Sequence, residues 1–126
     1  MAFVNHNGVQ IHYKVTGTGT PLIMAHGTSL SGEDWHELGY VDALSDRYFM
    51  ITVDSRGHGN SSKLYDPSAY TTSLQVSDYL AVLDQLSVTK AIFWGFSAGG
   101  AIAYNMIKYA PERVMALIIG GVQPYP

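Results

Sequence analysis

A serine flanked by glycines is the feature of this sequence best suited to chemistry. Ser97 forms the pattern G-x-S-x-G with Gly95 and Gly99, at the junction of the apolar run 91–95 and a segment with helical features. A serine hydroxyl attacks a carbonyl carbon when a base, usually a histidine held by a carboxylate, removes its proton. The backbone N–H of Ala98 would lie at a helix N-terminus, where unpaired donors stabilise an oxyanion. The pattern predicts a nucleophile; the alternative is a glycine-rich turn without chemistry.

A second glycine-rich segment, DSRGHGNSS at 54–62, places charged side chains close together. Its glycines allow a tight path, and we expect Asp54 and Arg56 to form an ion pair that holds the turn. A lone histidine in such a turn is weak evidence for catalysis. We therefore interpret His58 as a structural residue.

The elements that must position these residues follow from hydrophobic periodicity. Alternating apolar residues and the Asn7-Gly8 turn predict an antiparallel hairpin of 2–5 and 9–15. Continuous apolar runs predict strands covered on both faces of a parallel sheet, and amphipathic segments between them predict helices. Strands that alternate with helices indicate an α/β fold in one domain. The predicted parallel strands are 22–26, 48–54, 91–95 and 114–120, and the predicted helices are 33–46, 71–87 and 98–110.

Together these motifs resemble the α/β-hydrolase family, in particular its small cap-bearing esterases, perhydrolases and enol-lactonases. The similarity is carried by GFSAG, HGTS at 26–29, DSRGHGNSS and YAPERV at 109–114, and it extends to residue 121. It implies an N-terminal antiparallel hairpin joined to a mostly parallel sheet of about six strands flanked by helices. It also implies acyl transfer from a small-molecule ester or lactone, without a cofactor.

The resemblance assigns roles to the segment that follows the apolar run 22–25. His26 and Gly27 begin the loop that supplies a second oxyanion donor in this family, which is by position the N–H of Thr28. The family does not use this histidine as its general base. We expect His26 to hydrogen-bond its own loop, with proton transfer as the alternative.

The expected partners of the serine are missing from this sequence. In the family the catalytic residues run in the order serine, acid, histidine, but no histidine occurs after His58 and the last acidic residue is Glu112. We therefore expect 1–126 to form a single truncated core that lacks the cap and the last two strands, with little or no activity alone. The alternatives are a non-catalytic, self-associating half-domain and a subunit that is active only with a complementing partner.

The strand predicted at 114–120 would be an edge of such a sheet. It is apolar throughout and contains no charge or proline that would deter pairing. We predict that it pairs with a second copy in a homodimer or larger assembly, or with a complementing C-terminal half.

Composition excludes several classes of function. A formal net charge of −3 provides no basic surface for nucleic acid or an anionic membrane. The absence of cysteine excludes thiolate chemistry and zinc-finger sites, and no motif indicates a metal. The start of the chain lacks signal-peptide features, and the apolar stretch 114–121 is far shorter than the ~20 residues of a membrane span. We therefore predict a cytoplasmic protein that does not bind a membrane.

Overall fold

The fold is one six-stranded mixed sheet with helices packed on both faces. The computed structural model describes residues 2–122. The strands lie in the order β1-β2-β4-β3-β5-β6; β2 pairs antiparallel with β1 and β4, and the remaining pairs are parallel. This confirms the predicted α/β fold. The strands are β1 Ala2–His6, β2 Val9–Thr16, β3 Thr20–Ala25, β4 Tyr48–Val53, β5 Ala91–Phe96 and β6 Val114–Gly120.

The N-terminal hairpin forms at the predicted turn. Asn7 and Gly8 both have positive φ, 53° and 86°, as required at the two central residues of the turn that matches the twist of a hairpin. The hairpin joins the rest of the sheet through β2, where Tyr13 lies opposite Val53 at the end of β4. The hairpin therefore brings residues of β2 next to the loop that follows β4.

The helices differ from the prediction at one place. The segment expected to form a single helix over 33–46 forms two short helices, because Gly39 adopts a left-handed conformation with φ 87° between them. A third helix is capped by the Thr71 hydroxyl, which accepts the N–H of Leu74. The helices are α1 Glu33–Glu37, α2 Tyr40–Leu44, α3 Thr72–Gln85 and α4 Ala98–Tyr109, with 3₁₀ turns at Pro67–Tyr70 and Pro111–Arg113.

The sheet buries apolar side chains on both faces, which explains the continuous apolar runs of its central strands. Along β3, Ile23 and Ala25 pack into the larger cluster with α3 and α4, whereas Leu22 and Met24 pack on the opposite face with α1 and α2. Successive residues of a strand point to opposite faces, so two covered faces require an uninterrupted apolar sequence.

The last strand lies at the edge of the sheet. β6 pairs only with β5 among the described strands, and Met115 and Ile118 are 53% and 45% exposed. The predicted edge is therefore present in residues 2–122, with apolar side chains open to solvent. No helix in this range is both long and apolar enough to cross a bilayer.

Candidate active site

Ser97 has a backbone conformation that residues other than glycine rarely adopt. It has φ 55° and ψ −120°, between the end of β5 and the start of α4. Its N–H donates to the carbonyl oxygen of Gly120 at 2.8 Å, which ties the turn to the neighbouring strand. A positive φ at a residue with a side chain costs of order 1–3 kcal/mol and persists only where the surroundings impose it. The serine is thus held in a fixed, half-buried position at the carboxyl end of the sheet.

The two glycines of the pattern are needed for close packing. A Cβ on Gly95 would overlap the Gly99 carbonyl oxygen, and its nearest other contact would be the Gly100 Cα at 2.6 Å. A Cβ on Gly99 would lie 2.5 Å from the His26 carbonyl oxygen and closer still to that of Ala25. Both positions exclude any side chain, because real Cβ atoms do not approach other atoms so closely.

The two predicted oxyanion donors lie on one cavity beside the serine. Thr28 and Ala98 both line a cavity of about 210 Å³, which we call the donor cavity. Neither of their N–H groups donates a hydrogen bond within the described part of the chain. A Cβ placed on Gly27 would lie 3.3 Å from the Ser97 Cβ, so the loop that carries Thr28 runs directly past the serine. The structure therefore brings two unpaired donors and one hydroxyl to a common place.

His26 lies against this cavity with both ring nitrogens engaged. Its Nδ1 donates to the Gly27 carbonyl oxygen at 2.8 Å, and its Nε2 accepts the N–H of Ser55 at 3.0 Å. Burial lowers the pKa of the His26 imidazole, although the hydrogen bond to Gly27 acts in the opposite direction. In a neutral imidazole with one nitrogen donating and the other accepting a hydrogen bond, no lone pair is free to take up the proton of Ser97. His26 positions its loop.

His58 stands beside His26 at the same cavity. The ring centroids of the two histidines are 5.0 Å apart. The Nδ1 of His58 donates to the Arg56 carbonyl oxygen at 3.1 Å, a bond within its own turn. This contact agrees with the structural role expected from its place in a glycine-rich turn.

The prediction of an ion pair between Asp54 and Arg56 is wrong. Arg56 donates instead to Asp78 on α3, from Nε at 2.6 Å and from Nη2 at 2.8 Å, and both side chains are almost fully buried. His6 donates to the same carboxylate at 3.0 Å. The chain turns at Ser55–His58, where the His58 N–H donates to the Ser55 carbonyl oxygen, and the two residues that look paired in the sequence contact different partners.

Asp54 joins its own loop to β2 and to the segment that precedes α1. Its carboxylate accepts the N–H of Gly32 at 2.8 Å, the N–H of Asn60 at 2.9 Å and the Nδ1–H of His12 at 2.9 Å. Burial alone would raise the pKa of Asp54, but two backbone donors and the neighbouring histidine together lower it below its ordinary value. The carboxylate is therefore ionised and structural.

Sequence reasoning missed both His12 and Asp78. His12 lies on β2 in an alternating strand and carries no motif that would mark it. Asp78 could have been identified from the sequence, because it lies four residues after Leu74 and four before Val82 and so places a carboxylate within the apolar stripe of α3. A buried charge in that position requires a buried cation, which Arg56 supplies.

A second cavity, which we call the aromatic cavity, shares His26 and Gly27 with the donor cavity. Its volume is about 220 Å³. Trp35, Tyr40 and Trp94 pack against one another on its wall, with ring centroids 5.1–5.6 Å apart. The described residues that line it are His26, Gly27, Leu30, Asp34, Trp35, Leu38, Tyr40, Trp94 and Phe96.

A metal centre is not formed by the described residues. Within 2–122, no three side chains of His, Asp or Glu converge in an arrangement that could hold an ion. The chemistry available here is that of a hydroxyl, two backbone donors and an adjoining apolar cavity.

Comparison with known proteins places this arrangement in a family. The profile of the alpha/beta hydrolase fold matches residues 20–124. Epoxide hydrolase 3 of Siraitia grosvenorii is 32% identical over 98% of this chain, which spans 39% of that relative. An epoxide hydrolase variant of Vigna radiata superposes with a TM-score of 0.90 at 27% identity, covering 96% of this chain and 38% of the other. A solved structure titled as an N-acyl homoserine lactone degrading enzyme gives a TM-score of 0.86 at 34% identity, covering 94% and 44%. The chain therefore spans about two-fifths of the length of these relatives, and it belongs to the α/β-hydrolase fold family.

Proposed function

We propose that Ser97 is the nucleophile of an acyl transfer from a small ester or lactone, with the N–H groups of Thr28 and Ala98 as oxyanion donors. The observation that carries the proposal is the pair of unpaired N–H groups on one cavity beside a serine with φ 55°. Preorganised donors of this kind are worth about 10²–10³ in turnover each.

The chemistry proceeds in two displacements. The Ser97 Oγ–H gives its proton to a base as Oγ attacks the carbonyl carbon, and the carbonyl electrons move to an oxygen that both N–H groups bind. The intermediate collapses to an acyl-enzyme as the alcohol leaves with that proton. Water then attacks the acyl carbon in the same way and releases the acid and the free serine.

We propose that a complementing segment supplies the base. Both nitrogens of His26 are engaged, and no histidine follows His58 in the sequence. Loss of the base from a serine hydrolase lowers turnover by about 10⁶, and a residual ~10³–10⁴ over water comes from the donors and binding. The chain alone is therefore expected to turn over very little substrate.

The choice of a carbonyl substrate rests on the donors and on the relatives. Two unpaired N–H groups on one cavity suit a developing carbonyl oxyanion, and one of the similar structures is described as a lactone-degrading enzyme. Other relatives are named epoxide hydrolases, so opening of an epoxide is the competing substrate class. The fold alone does not choose between them.

A fluorophosphonate probe tests the role of Ser97. The purified chain should react slowly, and the reaction should disappear in Ser97→Ala. Ser87→Ala is the matched control, because Ser87 is an exposed serine with φ 57° outside the candidate site. Labelling that survives Ser97→Ala would contradict the nucleophile, and rapid labelling by the wild-type chain would show that a working base is already present.

A second candidate function is association through β6, either with another copy or with a complementing segment that carries the acid and the histidine. It is favoured by the exposed edge with Met115 and Ile118. Light scattering should find a dimer or larger assembly, and Ile118→Lys should shift it toward monomer. A monodisperse wild-type monomer would contradict self-association, leaving the complementing segment as the candidate.

A further inference from the structure

The aromatic cavity adjoins the candidate nucleophile. Gly27 and Phe96 both line it: Phe96 precedes Ser97 in the chain, and a Cβ placed on Gly27 would lie 3.3 Å from the Ser97 Cβ. A group bound in this cavity would therefore be attached near the carbonyl that Ser97 attacks. The inference below rests on the proposed function for that connection only.

We propose that the aromatic cavity binds a ring-sized apolar substituent that carries a positively charged ammonium group, with Asp34 as the residue that selects the charge. The ligand class is an aralkylammonium, such as the amine-bearing side of an amino ester.

The size of the substituent follows from the volume of the cavity. A dry apolar cavity of about 150 Å³ accepts benzene, so about 220 Å³ accommodates one ring and a short chain. Three aromatic rings line the wall. Their centroid spacings of 5.1–5.6 Å show that the rings are packed on one another, so they form a wall for the ligand and leave no space for it between them.

The charge preference follows from Asp34. Among the described lining residues it is the one that carries a charge, because the hydrogen bonds of His26 require a neutral ring. Its Oδ2 accepts the N–H of Ser31 at 2.8 Å, which fixes the carboxylate at the cavity.

The aromatic faces act in the same direction as the carboxylate. The faces of Trp35, Tyr40 and Trp94 carry negative electrostatic potential and attract cations. A carboxylate ligand would meet both the aromatic faces and the Asp34 charge unfavourably. The cavity should therefore favour a cationic ligand over a neutral one, and a neutral ligand over an anion.

Tryptophan fluorescence provides a direct readout, because the chain contains two tryptophans and both line this cavity. Titration of the purified chain with benzylammonium, benzyl alcohol and benzoate should give affinities in that order, with about tenfold between the cation and the alcohol. Asp34→Asn, whose amide oxygen can still accept the Ser31 N–H, should reduce this ratio to about threefold or less, the preference that the aromatic rings alone provide, while benzyl alcohol binds as before. Asp42→Asn, an exposed acid on α2 that does not line the cavity, is the matched control and should keep the wild-type ratio.

The outcomes separate this inference from the proposed function. Ser97→Ala should bind all three ligands like the wild-type chain, so a failure of serine reactivity leaves the binding intact. Equal binding of benzoate and benzylammonium, a charge preference as strong in Asp34→Asn as in the wild-type chain, or no fluorescence change up to the solubility limit of the ligands would overturn the inference, whatever the reactivity of Ser97.

Discussion

Arg56 pairs with Asp78 in the structure, whereas the sequence pattern indicates Asp54, and mutation of these residues can distinguish the two pairings. Two hydrogen bonds of 2.6 and 2.8 Å join these side chains, which are 4% and 1% exposed. Arg56→Met removes the guanidinium and leaves the Asp78 carboxylate buried with His6 as its remaining side-chain partner among the described residues. Removing one member of a buried pair costs about 3–5 kcal/mol, because the other charge stays uncompensated.

The expected size is large relative to the whole stability of the protein. A domain of this length has a free energy of unfolding of about 5–15 kcal/mol. With an m-value of about 1–3 kcal/mol/M, a loss of 3–5 kcal/mol lowers the urea midpoint by at least about 1 M. The loss could leave Arg56→Met unfolded, and Arg56→Lys then serves as the milder variant, because it keeps the charge but loses the two-pronged contact.

A pair of double-mutant cycles measures which carboxylate Arg56 contacts. Urea unfolding followed by circular dichroism gives the coupling of Arg56 with Asp78 and, as the matched control, with Asp54, each acid changed to asparagine. We expect a coupling of about 1–3 kcal/mol for the first pair and within ~0.5 kcal/mol of zero for the second. A larger coupling with Asp54 than with Asp78 would refute the reasoning and restore the pairing that the sequence pattern indicates.

Three further predictions concern the loops that carry the site. Burial lowers the pKa of His26, so between its unfolded pKa of ~6.5 and its lower folded pKa the unfolded chain binds more protons than the folded one, and the free energy of unfolding should decrease as the pH is lowered through this range. His26→Asn should flatten this part of the plot of urea midpoint against pH, and an unchanged slope would contradict the prediction. Gly99→Ala should destabilise the protein by at least about 1–3 kcal/mol, because the added Cβ would overlap the carbonyl oxygens of Ala25 and His26. Gly120→Ala is the control and should be nearly neutral, because its Cβ would lie 3.7 Å from its nearest neighbour. Equal thermal midpoints for the two variants would show that the turn at Ser97 relaxes to accept a side chain. Tyr79→Phe removes a buried hydrogen bond of 2.6 Å to the Ser55 hydroxyl and should cost about 1–3 kcal/mol by urea unfolding, while no loss would mean that the hydroxyl of Ser55 finds another partner.

Short sequence patterns predicted the parts of the fold that depend on residues close together in the chain. The Asn7-Gly8 turn, the apolar runs of the parallel strands and the serine between glycines each depend on residues a few positions apart, and the structure contains the corresponding hairpin, sheet and turn. The helix over 33–46 failed for a local reason as well. Gly39 interrupts it with φ 87°, and a glycine within a helical pattern is compatible with either continuation or a break.

Sequence alone determined the family, the position of the Ser97 turn and the absence of a histidine after it, because these are properties of residue types and their spacing along the chain. Tertiary structure decided which charges meet. Asp54 joins His12 across 42 positions and Arg56 joins Asp78 across 22, and such partners are chosen by strand order and helix placement. The two cavities arose in the same way, since Gly27 lines both and each draws its wall from segments that only the folded sheet brings together.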